Sequence, residues 1–97
     1  MDFLVTYDVS TEEQAGRRRL RNVAKLCESY GQRVQKSVFE VQVSRAQYEE
    51  MIDALTGVLD EDEDSLRAYR LAQPRSESVE CWGRDPRIDL EDDTLIF

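Results

Sequence analysis

An α+β domain, with two helices on one face of an antiparallel sheet, is the fold class that the sequence predicts. Residues 31–43 are rich in valine and phenylalanine and contain no proline, which is typical of strands. A helical pattern lies on each side of that stretch, and a further strand pattern lies outside each helix. A chain of 97 residues makes one domain, which we assign to residues 1–97.

The first strand is predicted at Asp2–Asp8, with the sequence DFLVTYD. Side chains alternate between the two faces of a strand, and apolar residues occur here on both, with Phe3 and Val5 on one and Leu4 on the other. We therefore expect a central strand that is covered on both sides. A polar loop follows, and a helix is expected to have begun by Arg17.

The first helix combines an apolar stripe with an arginine-rich surface. The stripe runs at helical spacing from Leu20 through Cys27 to Tyr30, and Gly31 follows where a helix-ending glycine is favoured. Cys27 is interpreted as a small core residue. Four arginines lie outside the stripe: Arg17, Arg18, Arg19 and Arg21. A guanidinium can bond a phosphate through two parallel hydrogen bonds, so the cluster could bind nucleic acid. The alternative is a solvated helix face with no binding role.

Residues 31–43 do not fit one regular strand, because the apolar phase slips near residues 36–38. We expect either two antiparallel strands or one strongly bent strand. Ser44 and Gln47 then form a capping-box pattern at the start of a second helix. The apolar face of that helix is supplied by Tyr48, Met51, Ile52, Leu55 and Leu59.

The chain after residue 59 is strongly acidic in two places, residues 60–64 and residues 89–93. Residues 60–64 are five consecutive acids, expected to form a solvated connection, and the strand Ser65–Leu71 follows them, with Pro74 ending it. A short further strand is expected at residues 78–82. We place the core in residues 1–72 and expect residues 73–97 to contact a second copy or a partner, with the apolar residues 95–97 packed on one of them.

The resulting order is strand, helix, strand, strand, helix, strand, which is the ferredoxin-like βαββαβ sandwich, here with an extra C-terminal strand. Both helices would cover one face of the sheet. Because the first strand is apolar on both sides and the domain is small, we expect a second copy to pack on the other face as a twofold homodimer.

Composition excludes several classes of function. The chain has no histidine and only two cysteines, so neither histidine-based acid–base chemistry nor a zinc ligand set is available within it. No stretch approaches the roughly 20 apolar residues that cross a bilayer, and no signal-peptide pattern opens the chain, so we expect a cytoplasmic protein without a membrane partner. The net charge of −8 is local: nine of the 21 acids lie within residues 60–64 and 89–93.

Four runs of residues carry a resemblance that extends over almost the whole chain. They are the YD that ends the first strand, residues 17–40, DSLRAYRL at residues 64–71 and DLEDDTLIF at residues 89–97. Together they resemble the Cas-two family of CRISPR-associated proteins, and the tail and spacing are most similar to members of type I-C systems. The resemblance implies a ferredoxin-like homodimer, partnership with the Cas-one integrase in spacer acquisition, and, for some members, metal-dependent cleavage of RNA or duplex DNA.

The resemblance also implies site residues. Asp8 matches the family's metal-binding aspartate, for Mg²⁺ or Mn²⁺, and two such carboxylates in a twofold dimer could hold one ion. The implied nucleic-acid-binding residues are Arg17, Arg18, Arg19, Arg21 and Arg33, with Tyr7, Ser37 and Phe39 in support. From the residues alone other roles stay open: Asp8 as a turn or cap residue, Arg33 paired with a carboxylate, Phe39 in the core, and Tyr7 buried with a bonded hydroxyl.

The expected function is therefore a magnesium-dependent endonuclease that acts on DNA or RNA during spacer acquisition. One alternative is a purely structural, non-catalytic adaptor that holds duplex DNA for the integrase. A plain ferredoxin-like RNA-binding module is disfavoured, because the aromatic strand motif of such modules is missing from the sequence.

Overall fold

The computed structural model describes residues 1–84 and confirms the α+β class. The sheet has four strands in the order β2-β3-β1-β4, and every neighbouring pair is antiparallel. In chain order the elements are β1 Asp2–Asp8, α1 Gln14–Tyr30, β2 Gly31–Gln35, β3 Val38–Gln42, α2 Arg45–Val58, β4 Ser65–Leu71 and α3 Arg75–Ser78.

β1 is a central strand, as its apolar faces predict. It pairs with β3 along one edge and with β4 along the other, so that Val5 lies opposite both Phe39 and Ala68. Residues 31–43 form two antiparallel strands, the first of the two predicted alternatives, with an irregular register between Arg33 and Gln35. The phase slip in the sequence therefore marks a turn.

The core lies between the sheet and the two long helices. Its fully buried side chains come from both layers: Val5, Phe39 and Val41 from the sheet, and Val23, Cys27, Met51 and Leu55 from the helices. Burial raises the pKa of the Cys27 thiol to about 11, so the thiol is un-ionised at neutral pH and Cys27 is a core residue, as predicted. Each buried aliphatic side chain contributes about 1.5–3 kcal/mol to folding.

The opposite face of the sheet, called here the open face, carries no long helix. Phe3, Val5 and Tyr7 are buried under the helices, so the alternate residues of β1, Leu4, Thr6 and Asp8, point to the open face. Their neighbours across the strands share that face: Val38 and Glu40 in β3, and Ser65, Arg67 and Tyr69 in β4. The open face therefore mixes apolar and charged side chains.

The start of α2 is capped as predicted. The Ser44 hydroxyl oxygen accepts a hydrogen bond from the Gln47 backbone N–H at 3.1 Å, and the Gln47 side-chain oxygen accepts one from the Ser44 N–H at 2.8 Å. This reciprocal pair satisfies two of the amide groups that a helix start leaves without partners.

The strand predicted at residues 78–82 is wrong for the described chain. Arg75–Ser78 form the short helix α3, and no strand follows β4 within residues 1–84. Local bonds fold this segment back: the Ser78 hydroxyl donates to the Ala72 carbonyl at 2.7 Å, and the Arg75 guanidinium pairs with Glu40 on the open face. Alternating residues do not form a strand without a neighbouring backbone to pair with. The expectation for residues 95–97 lies outside the described residues.

The two glycines that lie inside helices give a matched test of the packing. A methyl group on Gly16 of α1 would clash with the Ser10 carbonyl oxygen, whereas one on Gly57 of α2 would meet no atom within 4 Å. Helix propensity alone favours alanine at both positions. We expect Gly57→Ala to raise the free energy of unfolding by about 0.5–1 kcal/mol and Gly16→Ala to lower it by about 1–3 kcal/mol, as measured by urea denaturation. A gain in both variants would contradict the close approach of α1 to Ser10.

Candidate nucleic-acid and metal site

The carboxylate of Asp8 stands exposed at the end of the central strand. Asp8 is the last residue of β1 and lies opposite Ser65 of β4. The preceding residue, Tyr7, points the other way and is buried in the core. The sheet therefore presents the Asp8 carboxylate at the end of β1, on the open face.

The β2–β3 turn lies beside the same end of β1. The Tyr7 backbone N–H donates to the Ser37 carbonyl at 3.1 Å, and the Tyr7 hydroxyl lies 3.5 Å from the Lys36 carbonyl. Burial, together with the nearby Cys27, raises the pKa of Tyr7 above its ordinary value. Tyr7 is therefore protonated at neutral pH and serves as a hydrogen-bond donor, which is the buried role that the sequence left open. It also brings Ser37 to the Asp8 end of the sheet.

The Asp8 carboxylate alone would be an incomplete ligand set for a metal ion. Among residues 1–84, no group of three or more aspartate, glutamate, cysteine or histidine side chains is placed to hold an ion. The Asp8 carboxylate is nevertheless the type of ligand that Mg²⁺ and Mn²⁺ prefer, and Mg²⁺ is commonly bound through one or two carboxylates while it keeps several waters. The chemistry of this carboxylate thus fits Mg²⁺ or Mn²⁺, and further ligands would have to come from elsewhere.

Three of the helix arginines are free to meet an anionic partner. Arg17, Arg18 and Arg21 are exposed and lie in the first eight residues of α1, which begins at the same end of the sheet as Asp8 because only residues 9–13 separate β1 from α1. The Arg17 guanidinium donates to the Thr11 carbonyl at 3.1 Å and keeps further donors for a phosphate. These side chains make the start of α1 basic, while the Asp8 side chain points to the other face of the sheet.

Arg19 differs from its neighbours, because its guanidinium is already paired. The Arg19 Nε lies 2.8 Å from Asp64 Oδ2, and its Nη2 lies 3.3 Å from Oδ1. The expectation that residues 60–64 form a wholly solvated connection is wrong at Asp64, whose side chain is 0% exposed. The sequence did not reveal this pair because its members are 45 positions apart.

The Asp64 carboxylate is held by several donors. In addition to Arg19, it accepts hydrogen bonds from the Ser10 N–H at 3.0 Å and the Asp60 N–H at 2.9 Å. Burial alone would raise the pKa of Asp64, but the hydrogen bonds from Arg19, Asp60 and Ser10 outweigh it and hold the pKa below its ordinary value. Asp64 is therefore ionised at neutral pH although it is enclosed.

Arg33 and Phe39 lie on the helix side of the sheet, away from the face that carries Asp8. Phe39 is 0% exposed within the core, so it cannot stack on a nucleic-acid base. The Arg33 guanidinium lies 5.2 Å from the centre of the Phe39 ring and 3.4 Å from the Glu28 carboxylate, and its side chain is 43% exposed. Phe39 thus takes the core role that was left open, while Arg33 retains a surface that an anion could reach.

Sequence reasoning missed Arg67. It lies on the open face opposite Thr6, two residues before Asp8, and its guanidinium donates to the Tyr69 hydroxyl at 3.0 Å. Strand alternation in SLRAYRL could have shown that Arg67 and Tyr69 share a face, but only the register with β1 places them on the same face as Asp8.

Comparisons with known proteins agree on one family. The family model described as CRISPR associated protein Cas2 matches residues 1–79. The chain is 52% identical over 94 residues to a CRISPR-associated endonuclease Cas2 of Halalkalibacterium halodurans, which covers 97% of each chain. It is 50% identical over 91 residues to a CRISPR-associated endoribonuclease Cas2 of Moorella thermoacetica, covering 94% of this chain and 95% of the relative.

Solved structures of similar sequence have the same fold as this chain. The structure of Streptococcus pyogenes Cas2 at pH 6.5 superimposes with a TM-score of 0.77 at 53% identity, covering 86% of this chain and 100% of that one. A hypothetical protein from Thermus thermophilus superimposes with a TM-score of 0.73 at 33% identity, covering 88% and 93%.

The lowered pKa of Asp64 gives a pH-dependent contribution to stability. A carboxyl whose pKa is lower in the folded chain stabilises the fold above its unfolded pKa of about 4, and that contribution is lost as the pH falls through the lowered value. We expect the difference in unfolding free energy between the native chain and Asp64→Asn to be constant from pH 7 to pH 5 and to shrink below pH 4, as measured by urea denaturation. The exposed Asp53→Asn is the control. An Asp64 difference as large at pH 3 as at pH 7 would contradict the ion pair.

Proposed function

The chain belongs to the family described as CRISPR associated protein Cas2, and on that premise we propose that it is a metal-dependent nuclease whose twofold homodimer cleaves phosphodiester bonds in nucleic acid. The observation that carries the proposal is the exposed carboxylate of Asp8 at the end of the central strand, which residues 9–13 connect to a helix with three exposed arginines in its first eight residues. Relatives at about half identity are named endonuclease or endoribonuclease.

Substrate would be bound through its phosphates. Arg17, Arg18 and Arg21 present guanidinium groups on one helix, and such groups bind phosphate oxygens without reading sequence. The acidic residues 60–63 lie in the turn before β4 and would repel a polyanion. A nucleic acid would therefore approach along the arginine side of α1, with Arg33 as a second contact, and reach the end of β1 where Asp8 is exposed.

The metal would be shared between two protomers. Because each described chain supplies the single carboxylate Asp8 at this position, a second copy on the open face would bring the other carboxylate. Leu4 and Val38 are half-buried on that face and Tyr69 is 45% exposed, which gives the second copy apolar surface to cover. A bound Mg²⁺ or Mn²⁺ would supply Lewis-acid stabilisation of a phosphate and an activated water; the protein's part is to hold the ion and orient the strand.

The cellular role that we propose is spacer acquisition together with the Cas-one integrase, in the cytoplasm where the nucleic acid lies. The second candidate is a non-catalytic adaptor, favoured by the three exposed arginines of α1, because phosphate contacts would hold duplex DNA whether or not Asp8 binds a metal. We further propose that residues 1–97 act as one domain whose segment after β4 contacts the second copy or the integrase. The assignment to type I-C systems rests on the tail and spacing and stays a prediction.

Asp8→Asn tests the nuclease most directly, because it removes the charge of the ligand and keeps its shape. We expect cleavage of labelled duplex DNA or single-stranded RNA to need Mg²⁺ or Mn²⁺, to stop with chelator, and to fall by about two orders of magnitude or more in the variant. Asp53→Asn, which changes an exposed carboxylate on α2, should cleave as the native protein does. Metal-dependent cleavage that survives in Asp8→Asn would contradict the proposal.

The arginine surface is tested by the salt dependence of binding. Arg18→Gln with Arg21→Gln should weaken binding to duplex DNA at 100 mM salt and reduce the slope of log affinity against log salt by about 0.9 for each lost phosphate contact. The measurement is fluorescence anisotropy in chelator.

Arg45→Gln is the control for net charge, since it removes one cation that is exposed on the other helix, α2, where the test variant removes two. A loss in Arg45→Gln of half or more of the loss in the double variant, on the logarithmic scale, would show that net charge, and not the α1 surface, governs binding. Asp8→Asn that binds DNA normally but cleaves nothing would show that binding and chemistry are separate, as the nuclease candidate requires.

A further inference from the structure

A buried carboxylate joins the two loops that flank Asp8. Asp64 accepts hydrogen bonds from the Ser10 N–H, the Asp60 N–H and two nitrogens of Arg19, at distances of 2.8–3.3 Å. We call these four residues the Asp64 clamp. The clamp links the loop after β1, the first turns of α1 and the loop before β4 through one side chain that is 0% exposed.

The clamp holds the backbone on both sides of Asp8. Ser10 follows Asp8 by two residues, and Ser65, which lies opposite Asp8 across the sheet, follows Asp64 directly. Val9 is buried between Asp8 and Ser10. Gly16 of α1 packs so closely on the Ser10 carbonyl that a methyl group there would clash. The peptide units from Asp8 to Ser10 therefore cannot move without breaking contacts in three elements.

An exposed ligand at the end of a strand needs such support. Strand and helix ends open locally at low free-energy cost unless they are anchored, and Mg²⁺ demands near-ideal octahedral geometry from its few protein ligands. The residues that orient a metal ligand commonly change metal affinity by 10–100-fold when they are mutated. Within residues 1–84 no side chain or backbone group is hydrogen-bonded to the Asp8 carboxylate. Its position therefore depends on how firmly its backbone is held.

We propose that Asp64 and Arg19 are positioning residues for Asp8, and that their ion pair presets the backbone from Asp8 to Ser10 for metal binding. The inference rests on the proposed function of Asp8 as a metal ligand. It assigns the Arg19 guanidinium to the clamp, so that the proposed nucleic-acid surface consists of Arg17, Arg18 and Arg21 without it. The acidic turn at residues 60–64 thereby gains a structural purpose, because its last residue closes the clamp.

The test compares Asp64→Asn and Arg19→Lys with Ile52→Ala, a substitution of a half-buried α2 residue that lowers stability away from the clamp. The rate of hydrogen exchange of the Ser10 amide in the metal-free protein measures how often the clamp opens. Calorimetric titration with Mn²⁺ measures the dissociation constant of the metal, which depends on how Asp8 is placed. We expect Asp64→Asn to speed Ser10 exchange by about tenfold or more and to raise the Mn²⁺ dissociation constant by about tenfold. Ile52→Ala should leave the dissociation constant unchanged.

Arg19→Lys keeps the positive charge and loses the two-nitrogen contact with Asp64. It should therefore speed Ser10 exchange and raise the Mn²⁺ dissociation constant, each by less than Asp64→Asn does. It serves as the test if Asp64→Asn does not fold. DNA affinity in chelator should stay at the native value in Arg19→Lys. Faster Ser10 exchange with unchanged Mn²⁺ affinity would overturn the positioning role and leave Asp8 as a ligand. Native Mn²⁺ affinity in Asp8→Asn would instead overturn the proposed function itself.

Discussion

Hydrogen bonding of β1 along both of its edges is the constraint on which the rest of the molecule depends. With β3 on one side and β4 on the other, β1 cannot rotate, so its alternation is fixed: Phe3, Val5 and Tyr7 enter the core while Leu4, Thr6 and Asp8 point to the open face. A slip by one residue would bury Asp8 and expose Val5. Burial of the apolar set thus determines where the carboxylate stands.

The fold also separates the basic side chains of α1 from most of the acidic residues of the turn before β4. One acid of the turn before β4, Asp64, pairs with one arginine of α1, Arg19. The Asp64 side chain is enclosed and the Arg19 side chain is 20% exposed, and the pair joins the loops and α1. The remaining arginines, Arg17, Arg18 and Arg21, stay on the surface. A chain with a net charge of −8 therefore retains a basic helix face, because charge placement and net charge are separate properties.

The sequence was informative where a local rule decides the structure. The strand β1, the turn within residues 31–43 and the Ser44 capping box all follow from side-chain alternation and capping chemistry, and the structure has them. The prediction of an extra strand at residues 78–82 failed because pairing needs a neighbouring backbone. The ion pair of Asp64 was not predicted because Arg19 is distant in sequence. Phe39 could not be assigned between core and surface until its burial was known, and the role of Asp8 as a ligand still rests on the proposal.

One measurement tests that proposal most directly: the number of Mn²⁺ ions bound per chain, by calorimetry, on a sample whose mass in solution is determined in parallel. A carboxylate shared across a twofold axis predicts one ion for two chains in a dimer, and no such ion in Asp8→Asn. One ion per chain, binding by a monomer, or a stoichiometry that is the same in Asp8→Asn would contradict a metal held between two Asp8 carboxylates.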